Sequence, residues 1–543
     1  MNLYTDFELS RIRKIGGMHL RELVGSSVVK AVDSVYESTD VESVLAELVL
    51  LKFGKTLLKN KELRHLLIDS ASGADIQTLT IMISFSPDSD LRLRREARDY
   101  FSTLTTHKAR LFLDWLQFSD VYLPIEILDT RESVELVQCA FGDEVKLKGY
   151  LHPYQKDMKD QILSSIGDLG SRVMCQMPTG AGKTFTALET FVDMLRNPFQ
   201  QKFFVWLVNT NELAEQALTS FRYLWQVKGD RGINTFRLFK DFFSDYRKFS
   251  EGGVVFASYD LFYSILANND DARRSSLLHL INNTEYLIVD EAHAAVADTY
   301  SECVGAFLAD DITKVLGLSA TPTRISPVEQ EELSRLFSNR LLLLRDSYQK
   351  VVDDPIRYLQ KESYLANIKT EILESGYSSS EQDEKKLLKA LAESAERNRL
   401  ILESIESAVR LGEKTLVFAC SLDHVLALFI LCQKKGIRSQ FIIGNTPQSS
   451  RQKILDAFNN GDFDILINLD ILSTGIDLPN VNRLIITRPI NSPILYSQIV
   501  GRALRGPKNG GNPINTIVNI LDNTFNHGTI STLYTGFQEA WSS

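Results

Sequence analysis

Ten short apolar runs, spaced between helix-like stretches, limit this chain more than any other feature. Five fall between residues 172 and 319: RVMCQ, KFFVWLV, GVVFAS, YLIVD and KVLGLS. Five more fall between 414 and 521: KTLVFAC, RSQFIIG, FDILINL, RLIITRP and NTIVNIL. Each is long enough for one buried strand and too short for an ordinary helix. Strands that alternate with helical segments form parallel sheets with helical crossovers. The chain is therefore predicted to be α/β, with two parallel-sheet domains in tandem.

Residues 1–147 read differently. VESVLAELVLLKFGKTLL sets Val41, Val44, Leu45, Leu48 and Leu51 at helical spacing on one face, which predicts a mostly helical accessory domain. The first α/β domain then spans 148–345. A connector follows over 346–385, through VVDDPIRYLQ and the polar SGYSSSEQDEKK. The second α/β domain spans 386–543 and opens on one long helix, KKLLKALAESAERNRLILESIESAVRLG, stopped near Gly412.

The 543 residues carry a net charge of −9, so bulk charge does not draw this protein to nucleic acid. Any such binding needs a local groove. The five cysteines are scattered, form no CxxC pair and lack zinc-ligand spacing. A reducing, cytoplasmic setting is expected. The N-terminal stretch is charged and has no signal-peptide core, and the apolar runs are too short to cross a membrane.

The first run leads straight into chemistry. RVMCQ, MPTGAGKT and FTALETFVDMLR read as strand, turn and helix, the setting in which backbone N–H groups and a helix N-terminus face an anion. Gly180 and Gly182 allow close backbone approach, and Pro178, Thr179 and Ala181 complete the loop. Lys183 would meet the β- and γ-phosphates of ATP, and Thr184 a magnesium ion. The strict pattern has another glycine where this chain has Met177. In YLIVDEAH, Asp290 and Glu291 stand at a strand's C-terminal end, where open α/β sheets bind ligands. Asp290 can hold Mg2+, and Glu291 can orient the attacking water. Far along the chain, Arg502 and Arg505 lie three apart and are predicted to share one helix face. Two fixed charges aimed at the nucleotide would stabilise its transition state.

With these segments in place, the chain resembles superfamily 2 helicases and translocases of the DEAD/DEAH-box type, with DEAH at 290–293. That resemblance implies two RecA-like domains, and it accounts for Met177, since the family commonly reads PTGxGKT. It implies roles for further residues. Gln155, in LHPYQ, would read the adenine edge. His293 would link the ATP site to the arginine segment, and Ser319 and Thr321, in LSATP, would couple hydrolysis to movement. Asn209 and Thr210 (VNTNELAEQ), Ser258 and Tyr259 (VFASYDLF) and Thr474 (STGIDLP) would contact the nucleic-acid backbone. Asp477 would brace an arginine or touch the ribose. Gln498, Arg502 and Arg505, in QIVGRALRG, would complete the catalytic set. Asn209 stands where the family often has proline.

GRALRGPKNGG is most similar to the restriction-subunit group, which holds the motors of type I and type III restriction enzymes and is related to the duplex translocase XPB. DEAH-class RNA helicases usually carry a second arginine ahead of the glycine, where this chain has Ile499 and Val500; this favours DNA over RNA. The implied function is an ATP- and Mg2+-dependent DNA helicase or translocase, with a restriction or phage-defence system as one setting. An RNA helicase is one alternative. Another is an ATP-gated sensor or scaffold that recruits a protein partner through residues 1–147. No nuclease pattern is present, so nuclease activity would need that partner. In RLRREAR, Arg92, Arg95 and Arg98 form a stripe that is either a solvated face or a guide for a duplex arm.

Overall fold

The computed structural model describes residues 5–33, 41–83, 89–119, 122, 132–139, 151–196, 202–268, 271–309, 311–324, 326–377, 381, 383–444, 446, 448–469, 478, 480–490 and 493–522. Its strands in chain order are β1 (Val134–Val137), β2 (Arg172–Gln176), β3 (Phe203–Val208), β4 (Ile233–Leu238), β5 (Gly253–Ser258), β6 (Thr284–Asp290), β7 (Lys314–Ser319) and β8 (Leu341–Leu342) in the first lobe. The second lobe holds β9 (Asn367–Glu374), β10 (Thr415–Phe418), β11 (Ser439–Ile442), β12 (Ile465–Asn468), β13 (Arg483–Ile486) and β14 (Ile514–Leu521).

The first sheet runs in the order β1-β4-β5-β3-β6-β7-β2-β8, parallel except for β1. Its strands β3, β5 and β7 are buried along their whole length, as parallel strands covered by helices on both faces must be. Strand geometry sends alternate side chains to opposite faces. Phe204, Trp206 and Val208 of β3 enter one core, and Phe203, Val205 and Leu207 enter the other. The second sheet is parallel throughout, in the order β11-β12-β10-β13-β14-β9.

All ten apolar runs contain strands, and four further strands lie outside them. One of these, β1, falls within the stretch read as a helical accessory domain, yet pairs with β4 at the edge of the first sheet. Another, β9, falls within the stretch read as a connector, yet pairs with β14 over eight residues as an edge of the second sheet. The expected long helix is two helices, Glu384–Glu393 and Ala395–Arg410. Ser394 separates them in extended conformation and caps the second through Arg397 N–H at 3.4 Å. Gly412, with φ of 67°, lies just past the end of the second.

Among the described residues, the N-terminal region packs eight α-helices, from Asp6–Arg13 to Thr106–Leu116, around one apolar core. Helix Val41–Phe53 is central there. It buries Ala46, Val49 and Leu50 as well as Val41, Leu45 and Leu48, while Val44 and Leu51 are only partly buried. The arginine stripe is a solvated, ion-paired face: Arg92 meets Glu96 at 3.2 Å and Arg98 meets Asp69 at 3.3 Å. Arg94, between them, donates to the carbonyls of Ile68 and Ala71, each at 2.7 Å, at the end of helix Lys61–Asp69. No described helix is long and apolar enough to cross a membrane.

A buried ion pair braces the second sheet. Arg397 is fully buried and meets Asp522, just past β14, at 2.8 Å; it also donates to the Thr487 carbonyl past β13. Ser375, past β9, donates to the same Asp522 at 2.5 Å. Removing one partner of such a pair leaves a buried, uncompensated charge. Arg397→Met is expected to destabilise the second lobe by about 3–5 kcal/mol in urea unfolding, and adding Asp522→Asn to recover part of that loss.

Candidate active site

A cleft of about 660 Å³ separates the two lobes. It lies beyond the C-terminal ends of β2, β6 and β7, which sit side by side in the order β6-β7-β2. The register sets Asp290 opposite Leu318 and Gln176 opposite Ser319, so the loop after β2 and the acids after β6 face one another across the end of β7.

The loop Pro178–Gly182 leads into helix Lys183–Leu195. Gly180 and Gly182 take φ values of 82° and 78°, which favour glycine. A Cβ on Gly182 would also overlap the Gln155 amide. Met177 is fully buried in the first lobe's core, and its N–H donates to the Ser319 carbonyl at 3.2 Å. The side chain that replaces the missing glycine is therefore a core residue, and the loop proper begins after it.

Lys183 Nζ lies 3.4 Å from Glu291, and Thr184 Oγ1 lies 3.4 Å from Asp290. Glu291 holds a left-handed backbone (φ 51°), rare for this residue type, directly at the strand end. Burial raises the Asp290 carboxyl to about 6; the Glu291 charge adds to the rise and Lys183 opposes it. For Glu291, burial pushes upward but is outweighed by Lys183, with help from His293 and Arg502, so it stays below its ordinary value. This oxygen-rich corner, with a hydroxyl, the buried Asp290 and the partly buried Glu291, fits a hard divalent cation. Among the described residues, no group of three His, Cys, Asp or Glu side chains forms a closed metal cluster.

Gln155 caps its own helix. Its Oε1 accepts from His152 N–H at 2.8 Å and its Nε2 donates to the Ala181 carbonyl at 3.0 Å. It thus braces the loop, and each end of the amide keeps one bonding position for a base edge. His293 makes contacts within its own lobe. His293 Nδ1 lies 3.2 Å from Ser319 Oγ and 3.5 Å from Glu291, and Ser319 Oγ accepts from Thr321 N–H at 3.1 Å. Burial lowers the His293 pKa, with Glu291 opposing the shift and Lys183 adding to it.

Gln498, Arg502 and Arg505 reach the cleft from the second lobe. The two arginines do not share a helix face, because the helix Pro493–Gly501 ends before them. They lie on the turn that follows, and Arg505 forms an isolated backbone bridge with Leu365. Gly501 explains its own identity: a Cβ there would overlap Thr179 of the phosphate loop. Gly180 is likewise packed against Leu365 and Leu504.

The expected nucleic-acid residues fare unequally. Thr210 caps helix Asn211–Lys228, and Asn209 and Thr210 are partly exposed at the end of β3. Ser258 and Tyr259 are buried, and the Tyr259 ring stacks on Tyr300 at 4.0 Å, so their side chains pack inside the lobe. Thr474 and Asp477 lie outside the described residues.

Several cleft residues carried no sequence signal. His152 bonds Asn509 of the second lobe at 2.7 Å, and Asn509 donates to the Tyr364 carbonyl at 2.7 Å. The Lys508 ammonium sits over the Tyr364 ring, 4.3 Å from its centre. Both belong to PKN, directly after the arginines, and only lobe docking brings them to His152.

Two family models match this chain: the type III restriction enzyme res subunit over residues 148–324 and the helicase conserved C-terminal domain over 396–507. The putative ATP-dependent helicase IRC3 of Saccharomyces cerevisiae is 27% identical over 365 residues, 65% of this chain and 49% of its own length. Putative helicase 22 of a Sulfolobus islandicus filamentous virus is 24% identical over 71% of this chain and 66% of its own length. The chain thus spans about half to two thirds of the length of these relatives. A fragment of a putative HsdR subunit of a type I restriction enzyme from Vibrio vulnificus is 17% identical, with 68% of this chain and 64% of the fragment covered, and has a TM-score of 0.46.

Gly501→Ala should hold the lobes apart. The expected result is nucleotide affinity within about threefold of the parent, by titration of a fluorescent analogue, with turnover reduced about tenfold or more. Adding Thr179→Gly removes the clashing side chain and should restore part of that turnover.

Proposed function

Because this chain has the superfamily 2 helicase domain architecture, related to the motor subunits of restriction enzymes, we propose that it hydrolyses ATP between its lobes to move along duplex DNA. The observation that carries this reading is the convergence of Lys183, Asp290 and Glu291 from one lobe with Arg502 and Arg505 from the other in a single cleft.

Each group has a task that follows from its setting. The loop N–H groups and Lys183 hold the β- and γ-phosphates. Thr184 and Asp290 would hold Mg2+, which when bound neutralises charge on the phosphate oxygens. Glu291, kept ionised beside Lys183, orients the attacking water and accepts its proton. Arg502 and Arg505 bring fixed charge to the transferring phosphoryl group once the second lobe is seated. Glu291 also touches His293, which bonds Ser319, so a change at the phosphate passes to the end of β7. That contact chain supports the coupling role proposed for His293, Ser319 and Thr321.

On the nucleic-acid side, Asn209 and Thr210 are proposed to meet backbone phosphates, which gives binding that tolerates sequence. The charge of −9 places such binding in a local groove and makes it sensitive to salt. Duplex DNA is favoured by the segment around Gln498–Gly506 and by the match to a restriction-enzyme subunit model. The same match supports a restriction or defence setting, with a protein partner on the N-terminal domain. The described cysteines are free and buried, which supports a reducing compartment, and we propose the cytoplasm.

ATPase rates with duplex DNA, single-stranded DNA and single-stranded RNA test this directly. Duplex DNA should stimulate turnover about tenfold or more. Stronger stimulation by RNA would replace DNA as the substrate, and a rate indifferent to all three would refute the motor. Lys183→Ala should cut turnover at least about 100-fold. Glu291→Gln should keep nucleotide affinity within about threefold while blocking hydrolysis, read by equilibrium binding and single-turnover assay.

A further inference from the structure

We infer that the N-terminal helical domain is a permanent part of the second lobe and travels with it as the cleft opens and closes, although in the chain it precedes the first lobe.

Helix Leu422–Lys434 carries the first argument. Its sequence, LDHVLALFILCQK, is apolar on every side, and a helix of that kind must be covered all round. Val425, Leu428 and Cys432 pack into the second lobe's core. Leu426 and Ile430 instead complete the core of the N-terminal domain, where both are buried. Phe441 of β11 touches both cores. The two cores are therefore continuous through one helix, as in the interior of a single folding unit.

Polar contacts fix the register of this interface. Lys52 Nζ donates to Asp423 at 2.7 Å and to the Val24 carbonyl at 2.9 Å. Gly25 sits so close to Asp423 that a Cβ would lie 3.1 Å from its Cγ. Ser26 and Lys30 both reach Glu393, at 2.5 and 2.7 Å. Asp423 and Glu393 belong to different helices of the second lobe, so the N-terminal domain clamps two of its elements.

The first lobe is held by a separate piece of chain. Arg237 donates to the Glu132 carbonyl at 3.0 Å, Arg222 meets Glu135 at 2.5 Å, and Ser244 bonds Ser133 at 3.0 Å. These contacts fasten β1 and its lead-in. Between Tyr122, buried in the N-terminal core, and Glu132 the chain can span on the order of 35 Å when extended, so the crossing does not force the domain to follow the first lobe. A ligand or partner held by the N-terminal domain is consequently displaced relative to the first lobe whenever the second lobe swings.

The inference does not depend on hydrolysis, and the full chain tests it. A protease site placed between Tyr122 and Glu132 allows the tether to be cut in the folded protein. The cut N-terminal fragment should co-elute with the remainder at micromolar concentration in gel filtration; a fragment that elutes alone overturns the inference. In the Leu426→Glu chain the same cut should release the fragment, with affinity reduced at least about tenfold. Retention there would place the docking elsewhere and also overturn it. Should Leu426→Glu perturb folding by circular dichroism, Lys52→Glu supplies the test, with Lys52→Glu/Asp423→Lys expected to restore retention. Movement is read with dye pairs on cysteines introduced at the exposed Met18, Val328 and Leu411. Energy transfer from Met18→Cys to Leu411→Cys should stay constant with nucleotide analogue and DNA, while transfer from Met18→Cys to Val328→Cys follows the lobe-to-lobe pair. The opposite pattern refutes it.

Discussion

The seating of Thr179 against the bare backbone of Gly501 is the contact on which the rest of the site depends. Lys183, Asp290 and Glu291 are fixed by one sheet and complete without help from the other. The arginines are not. They become part of the same cleft only when the segment after helix Pro493–Gly501 lies directly on the phosphate loop, and any side chain at 501 would prevent that. The connection between lobes reinforces the seat: Ala366 N–H donates to Leu504 at 2.8 Å, and Gly506 N–H donates to Tyr364 at 3.1 Å. The segment that joins the lobes thus also aims the arginines.

Sheet order determines why the first-lobe half works. Because β7 lies between β2 and β6, the phosphate loop and the acids are one strand apart, and Ser319 at the end of β7 stands among them. A small hydroxyl there can bond His293 without filling the cleft. The buried Asp290 beside the Glu291 charge disfavours a fully ionised pair, which is the electrostatic condition that a divalent cation relieves.

Elsewhere the molecule uses buried charge to lock elements whose apolar contacts are modest. Arg237 fixes the β1 strap to the first lobe, and Arg397 gathers the ends of β9, β13 and β14. Each guanidinium satisfies several carbonyls or carboxylates at once, which a lysine could not do with the same geometry. The N-terminal domain relies on the reverse balance, a shared apolar helix with a few ionic contacts at its margin.

The ten strands of the apolar runs were legible because most of them are buried on both faces and so read as continuous apolar runs. Four strands were not, and each is short, polar or at an edge. β9 reads NIKTEILE with exposed residues along its length, and β4 carries Thr235 and Arg237, which donate to the carbonyls of Glu135 and Glu132. The phosphate loop, the acids and the arginines were legible by residue type and order. The partner of His293, the burial of Ser258 and Tyr259, the turn that carries Arg502 and Arg505, and the pairing of His152 with Asn509 were not. By itself the sequence determined the two parallel sheets and the chemical groups at their strand ends, because backbone periodicity and local loop chemistry act over a few residues. Only the tertiary structure decided which of those groups meet and which lobe the N-terminal domain belongs to. Both depend on surfaces built from segments hundreds of residues apart, where an absent Cβ at Gly501 or the second apolar face of helix Leu422–Lys434 acquires meaning only from what packs against it.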